Sequence, residues 1–214
     1  MNKLVIIGAA ELGGLIHHLA RQSGDYEVVG YYDDHSILKT FNALPVFGKT
    51  DRIIKDHQSG KFDFLFIAIG YNHMLVRENL FKQFSGKIPF ATIIHNSAYV
   101  DRSSNIGEGS VIFPGCVIDQ FVTIGKNVLL NTAVSVSHHS SIDDHCFLAP
   151  RVAVAGRVNI SQNCFIGIGS IIKDLVNIKD NCIIGAGSLV LKDVESNKKV
   201  YGVPAKVVED NIKS

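Results

Sequence analysis

Three places in this 214-residue chain combine residue types and spacings that suit chemistry. Near the start, Gly8-Ala9-Ala10-Glu11-Leu12-Gly13-Gly14 follows the apolar run Leu4–Ile7 and opens a helix-like stretch. A glycine-rich turn at a helix start offers free backbone N–H groups to a phosphate. Asp33-Asp34 and Gly70-Tyr71-Asn72 each close another apolar run, and acidic residues ending a second strand suit a ribose or base donor. Further along stands His138 with His139 beside it, and an imidazole can take up a proton near neutral pH. The third place is a set of four cysteines, Cys116, Cys146, Cys164 and Cys182, with no Cys-x-x-Cys pair among them. That spacing speaks against both a disulfide framework and zinc.

The elements that position these residues are legible from a period of six. From Val100 to Val190 an aliphatic residue recurs at every sixth position, sixteen times without an insertion. The position two before each aliphatic is always small or β-branched, as in Ser110, Cys116, Val122, Val128, Val134 and Ser140. Residues two apart share one face of a strand, so each hexad reads as a short strand with both residues pointing inward, followed by a turn. One such unit cannot close a core. Three make a triangular coil of 18 residues, and stacking about five coils at about 4.8 Å buries a continuous apolar column. All four cysteines occupy the small inward slot, so they are expected as buried fillers, with Cys146, Cys164 and Cys182 stacked one coil apart. The absence of tryptophan fits a narrow column. Glycine follows the aliphatic at 107, 125, 167 and 185, where a tight corner is expected to need permissive dihedrals. His138, two past the inward Val136, falls on an outward corner, and adding 18 lands on Gly156, which should stack directly beside it.

The first 95 residues have another rhythm. Strand candidates at Leu4–Ile7, Val28–Tyr32, Phe64–Ile69 and Pro89–Ile94 alternate with helical patterns to about Gln22 and from Asn72 to about Phe84. This predicts a small Rossmann-like parallel α/β sheet over 1–95, followed by a parallel β-helix over 96–214. Ligands of such sheets lie at the carboxyl ends of the strands, where Gly8–Gly14, Asp33-Asp34 and Gly70–Asn72 fall. Two other readings apply to the glycines. They can serve tight strand–helix packing, or a dinucleotide oxidoreductase, although Gly8 and Gly13 fit G-x-x-x-x-G and not G-x-G-x-x-G.

Composition narrows the classes further. Lys+Arg is 21 against Asp+Glu 20, so no charge excess points to nucleic acid or an anionic membrane. The 46% apolar content excludes a disordered chain. No run approaches the roughly 18 apolar residues that span a bilayer, and Glu11 interrupts the short run at Leu4–Ala10 where a secretory core would continue. A cytoplasmic protein with reduced thiols is expected.

The segments Ile7-Gly8-Ala9, Tyr32-Asp33-Asp34, Ile67-Ala68-Ile69-Gly70, Leu130-Asn131-Thr132, His138, Val154-Ala155-Gly156 and Gly202-Val203-Pro204-Ala205-Lys206 together resemble one group over nearly the whole chain. This is the bacterial hexapeptide-repeat sugar acyltransferases, typified by the UDP-4-amino-sugar N-acetyltransferase of bacillosamine synthesis and the sialic acid O-acetyltransferases. The resemblance implies a left-handed β-helix and a homotrimer with active sites between adjacent β-helices. It also implies acetyl-CoA as co-substrate, with no metal, and a nucleotide-linked 4-amino-4,6-dideoxy sugar as acceptor, for surface glycan biosynthesis. His138 takes the place of the general base, and the Gly156 N–H that of the oxyanion donor. Gly8, Ala9, Ala10, Asp33, Asp34, Gly70, Asn72, Asn131 and Thr132 are then expected at the substrate. Gly156, Gly167, Gly169, Gly185, Ala186, Gly187 and Lys206 are expected along the CoA arm. O-acetylation of a sialic acid is the alternative, and a β-helix binding protein without catalysis a further one. Zinc carbonic anhydrases share the trimeric β-helix but use His-x4-His, which His138, His139 and His145 do not form. The chain departs from the family at Glu11 and Leu12 in the phosphate loop, at His139 where an acidic residue is usual, and at Phe147 where a second histidine is usual. The acidic support of His138 is then missing, or supplied by another group such as Asp143 or Asp144.

Overall fold

Strand β1 (Asn2–Ile7) carries the run Leu4–Ile7 with every side chain buried, the pattern of a strand covered on both faces. In the computed structural model, which describes residues 1–211, it forms the centre of a three-stranded parallel sheet. Strand β2 (Tyr26–Tyr32) pairs with one edge of β1, and β3 (Phe64–Ile67) with the other. Helix α1 (Glu11–Ser23) buries Gly13, Ile16, Leu19 and Ala20 and stops at Gly24, whose φ of 80° closes it in the left-handed conformation. Helices α2 (Ile53–Gln58) and α3 (Met74–Phe84) complete a core of Val5, Ile7, Tyr32, Ile53, Phe62, Leu65, Ile67 and Phe84, among others. The strand expected at Pro89–Ile94 contracts to a bridge from Phe90 to Leu65 and the two-residue strand Ile93–Ile94. Proline has no N–H to give a ladder, and at Pro89 only the carbonyl is used, accepting from the Leu65 N–H. A polar knot sits inside this unit. The buried Asp56 accepts the Tyr32 O–H at 2.6 Å and pairs with the Lys61 ammonium at 2.8 Å.

The residues from 96 onward form a second compact unit. Sixteen two-residue strands run from Tyr99–Val100 to Leu189–Val190, one for every hexad. They assemble into three parallel faces of the left-handed β-helix. Face one holds the strands ending at 100, 118, 136, 154, 172 and 190, and face two those ending at 106, 124, 142, 160 and 178. On face three the strands ending at 112, 130, 148, 166 and 184 continue into a terminal hairpin, Lys198–Gly202 with Ala205–Asp210. Each strand pairs with the one 18 residues away, as in Ser135 with Ala153.

Inside the column the aliphatics and the small residues two before them are buried almost without exception, the cysteines included. The small slot does more than fill space. The Ser110, Ser140 and Ser170 hydroxyls donate to the carbonyls of Gly125, Ala155 and Gly185 at 2.8–2.9 Å. The Cys116, Cys146 and Cys164 thiols reach the equivalent carbonyls of Asn131, Ser161 and Lys179 at 3.1 Å. Burial pushes the Cys116 thiol up to about 11, so it stays a neutral donor.

The corners differ from expectation. Positive φ falls three residues after every aliphatic from Ile106 to Ile184, as at Phe121, Asn127, Ala133, His139, His145, Arg151, Arg157 and Asn163, and not at the first corner residue. Gly107, Gly125 and Gly167 are glycine for another reason. A Cβ on Gly107 would come within 2.5 Å of the Gly125 backbone, and one on Gly167 within 2.6 Å of the Ala186 nitrogen. There the next coil lies where a side chain would stand.

Asp56 yields a stability prediction. The Lys61 ammonium first, and then the Tyr32 hydroxyl, hold its carboxyl below the ordinary carboxylate value against the opposite pull of burial. A depressed folded value adds stability above the unfolded pKa and loses it as pH falls through the folded one. Asp56→Asn is therefore expected to lower stability at neutral pH and to flatten its decline on acidification below about pH 4. Urea unfolding across a pH series reads both effects. Tyr32→Phe, which removes one hydrogen bond to this carboxylate, should cost about 1–2 kcal/mol.

Candidate active site

The carboxyl ends of the three strands in the first unit meet at Gly8. Its N–H donates to the Tyr32 carbonyl at 2.8 Å, its φ is 113°, and a Cβ there would lie 2.7 Å from the Ala68 carbonyl oxygen. A Cβ on Gly13 would fall on the Gly8 carbonyl. Close packing of turn against helix and strand thus requires both glycines. The Ala9 N–H donates to Asp33 Oδ2 at 2.8 Å, and Asp33 Oδ1 accepts from the N–H groups of His35 and Ser36. Burial pushes the Asp33 carboxyl up, but these three N–H groups outweigh it and hold the group below its usual value. Ala10 is exposed at the N-cap of α1 with no side-chain cap, so the first turn presents its backbone N–H groups, and Glu11 there is exposed. Asp34 turns away from this loop and accepts both the N–H and the hydroxyl of Thr50. Gly70, half-buried, caps the turn Tyr71–His73, in which Asn72 is exposed. The structure thus joins Gly8, Ala9 and Asp33 directly and ties Asp34 elsewhere.

In the second unit the corner Ser137-His138-His139 links faces one and two. The His138 carbonyl accepts from the Arg157 N–H at 3.0 Å, which stacks the corner Ala155-Gly156-Arg157 beside it. A Cβ on Gly156 would lie 2.8 Å from His138 Cε1 and 2.9 Å from Nε2. His138 is half-buried, and the Cε1–Nε2 edge of its ring faces the Gly156 backbone. The Ser140 hydroxyl holds the preceding carbonyl, Ala155, at 2.9 Å. His138 Nδ1 sits 3.2 Å from His139 Nδ1, with the rings at 85°. The exposed His139, at φ 59°, also packs against Phe121, ring centroids 5.0 Å apart.

The acidic support expected from Asp143 or Asp144 is not at this corner. Both lie one corner further on, between faces two and three, where Asp144 Oδ1 accepts the Lys126 N–H at 2.7 Å. Burial, then the neighbouring Asp144 and Asp180, push the Asp143 carboxyl up. The partner of the His138 ring is His139, a pairing that adjacency in sequence hinted at but could not orient. His145 is buried, its Nδ1 2.9 Å from Asn127 Nδ2, and the buried Phe147 packs on Phe165.

Asn131, Thr132, Gly167, Gly169, Gly185, Ala186 and Gly187 all lie on a different corner, between faces three and one. Asn131 Oδ1 accepts the Thr132 N–H, and Thr132 is exposed. Gly169 and Gly187, at φ 67° and 65°, have open space where a side chain would be, and Ala186 is exposed. Gly167 faces stacked backbone, and a Cβ on Gly185 would fall inside the Tyr201 ring, a covering contributed by the terminal hairpin. Lys206 is exposed on that hairpin, beside a cavity of about 450 Å³ lined by Val190, Leu191, Val200, Pro204 and Val207. One chain therefore does not bring the His138–Gly156 pair and the glycine row together. Among the described residues no three His, Cys, Asp or Glu side chains stand as a metal-ligand set. Nor is any helix among them long and apolar enough to cross a membrane.

Residues 3–84 match the family described as the PglD N-terminal domain. The chain superposes on the acetyltransferase domain of PglB from Neisseria gonorrhoeae with a TM-score of 0.89 and 27% identity, covering 97% of this chain and 100% of that one. PerB from Caulobacter crescentus, solved in complex with CoA and GDP-perosamine, matches with a TM-score of 0.89 and 28% identity over 98% of both chains. WeeI from Acinetobacter baumannii matches with a TM-score of 0.83 and 26% identity over 96% of this chain and 99% of that one. No curated protein matches by sequence. The resemblance to bacterial hexapeptide-repeat sugar acyltransferases thus holds across both units.

The approach of His138 to Gly156 is itself testable. Gly156→Ala puts a methyl where the ring stands, so the ring must move by a few tenths of an ångström or more. Unfolding should be nearly unchanged, because the neighbour that yields is a side chain, while the His138 ring resonances should shift in a histidine-selective NMR spectrum.

Proposed function

We propose that this chain is an acetyl-CoA-dependent sugar acetyltransferase that acts on the amino group of a nucleotide-linked 4-amino-4,6-dideoxy sugar, in the cytoplasm, for surface glycan biosynthesis. The single observation that carries the reading is His138 Nε2 lying beside the Gly156 backbone at a half-buried corner. An amine attacking a thioester must lose a proton as the C–N bond forms, and Nε2 is the group at hand to accept it. The carbonyl oxygen gains charge in the same step, and a backbone N–H at Gly156 can meet it because no side chain intervenes. The C–S bond then breaks, giving an amide and the CoA thiolate, which the proton on His138 neutralises. The CoA and GDP-perosamine held by PerB support a nucleotide sugar as acceptor. In this chain, Gly8, Ala9 and Asp33 would receive the nucleotide, with Ala10, Asp34, Gly70 and Asn72 around them.

The active unit in this reading is a homotrimer with sites between protomers. Exposed apolar side chains of the column cluster on face one and its two flanking corners: Val117 and Ile171 on the face, Phe121, Leu175 and Leu191 on the His138 corner, and Ile168 on the glycine corner. Face two presents Asn105, Thr123, Ser141, Asn159 and Asn177 instead, Asn159 bonding both Ser141 and Asn177. Association through the apolar side sets the His138 corner of one protomer against the glycine corner of another. The CoA arm would then run along Gly167, Gly169, Gly185, Ala186 and Gly187 toward Lys206, with Asn131 and Thr132 at its acyl end near the acceptor.

His138→Ala is expected to lower kcat at least about 100-fold, with the oligomer intact by light scattering. Full turnover by this variant would remove His138 as the base. Acetyl transfer to a sialic acid, with none to amino sugars, would replace the acceptor class. Ile171→Asp should give a folded protomer of lower mass that binds nucleotide sugar but does not turn over.

A further inference from the structure

We infer that the first unit carries an anion site separate from the Gly8 loop, in which His17, His18, Arg21 and Asn42 hold a phosphate group. Gly14, His17, His18 and Arg21 recur at the three- and four-residue spacing that sets side chains along one side of α1. They line a pocket of about 330 Å³ that Asn42 closes. Asn42 stands at φ 47° in the turn of the hairpin Thr40–Phe41 with Leu44–Pro45. Its Nδ2 comes within 3.2 Å of where a Gly14 Cβ would be. Glycine inside a helix costs stability relative to alanine, and here it leaves the floor of the pocket open. The pocket makes no use of the helix N-terminus, because the Gly14 N–H is already donated to the Ala10 carbonyl at 3.0 Å.

Every side chain that lines this pocket can donate a hydrogen bond, and none is a carboxylate. Glu11, one turn before Gly14, is not part of the lining. The fully buried Tyr31, held edge-on by Phe41, fixes the donors from below. Its oxygen receives one Asn42 amide hydrogen at 3.4 Å, which leaves the second amide hydrogen of Asn42 free. Among the described residues, the one acceptor for the Tyr31 hydrogen is His17 Nδ1, at 2.7 Å. His17 then carries its own proton on Nε2 and presents it as a donor. His18 and Arg21 are exposed, and neither makes a hydrogen bond or ion pair among the described residues. Burial first, then the Arg21 and His18 charges, hold the His17 imidazole below its ordinary value, and no carboxylate opposes them. Unpaired positive charge around one hollow calls for an anion. Donors reach it from both helix and hairpin, which suits the several oxygens of a tetrahedral phosphate better than the two of a planar carboxylate.

Inorganic phosphate is the first probe. In the full chain labelled with ¹⁵N-histidine, phosphate added at constant ionic strength is expected to shift the His17 and His18 ring signals saturably. Arg21→Gln, at an exposed position, should weaken that binding at least about 10-fold. Asn42→Gly keeps the left-handed turn and should weaken it by a smaller factor. Guanosine diphosphate, read by calorimetry, should bind Arg21→Gln as it binds the wild type, because its phosphates go to the Gly8 loop in the reading above. Glucose 1-phosphate forms a second arm, and whichever of it and free phosphate binds more tightly identifies the source of the group. Ring signals that move no further than in sodium chloride of equal ionic strength overturn the inference. So does an Arg21→Gln protein with wild-type phosphate affinity, or one that loses phosphate and nucleotide together. If the wild type binds no nucleoside diphosphate, the proposed acceptor fails instead, and the phosphate shifts still decide this site.

Discussion

The stacking of one 18-residue coil on the next governs the rest of this molecule. Every residue of the column has its neighbours 18 positions away, joined by the backbone ladder, so whatever stands at one corner constrains the same corner above and below. The column is narrow, so each rung can point inward one large aliphatic and one small residue and nothing bulkier. Corner carbonyls that would otherwise be orphaned are met by hydroxyls and thiols from the small slot, which is why Ser and Cys recur there beside Val. The same rule gives the candidate site its geometry. His138 and Gly156 are far apart along the chain in local terms but adjacent by stacking, and the Ser140 hydroxyl that ties down Ala155 fixes the backbone next to the imidazole.

A triangular column also separates chemistry by edge. Asn131 and the glycines at 167, 169, 185 and 187 share one corner, His138 and Gly156 another, and Asp143 with Asp144 the third. No rotation of a side chain brings residues from one corner to another across a filled core. Face one, which lies between the first two corners, is also where the column exposes its apolar side chains, while the face beyond His138 is a ladder of Asn, Ser and Thr. A column that buried its apolar side against copies of itself would bring complementary corners into register. Site and assembly then follow from one pattern, and neither requires a dedicated domain.

The repeat made the second unit readable at single-residue resolution, because a strict period turns sequence number into position. All sixteen rungs and the burial of the four cysteines follow from it. What did not follow is equally physical. The left-handed residue of each corner falls at the third position, where the chain turns back, and types as varied as Phe121, Arg157 and Leu175 accept it because stacking outweighs their local preference. The glycines at 107, 125 and 167 answer to the coil above and Gly185 to the Tyr201 ring of the terminal hairpin, contacts with no local signature. In the first unit the strands and long helices were legible from apolar runs. The short helix Ile53–Gln58 and the hairpin Thr40–Phe41 with Leu44–Pro45 were not, since neither is long enough to show a period. Pairing across sequence, as between Tyr32 and Asp56, has no local signal at all.

The departures from the family pattern sort by what surrounds each position. Phe147 sits where the side chain is buried against Phe165, so a polar group lost there is replaced by packing and leaves no unpaired donor. His139 sits exposed beside His138 and keeps a nitrogen within hydrogen-bond distance of that ring. A carboxylate there could only accept, whereas an imidazole nitrogen can accept or donate, so the corner keeps a hydrogen-bond partner for the His138 ring and changes what that partner can do.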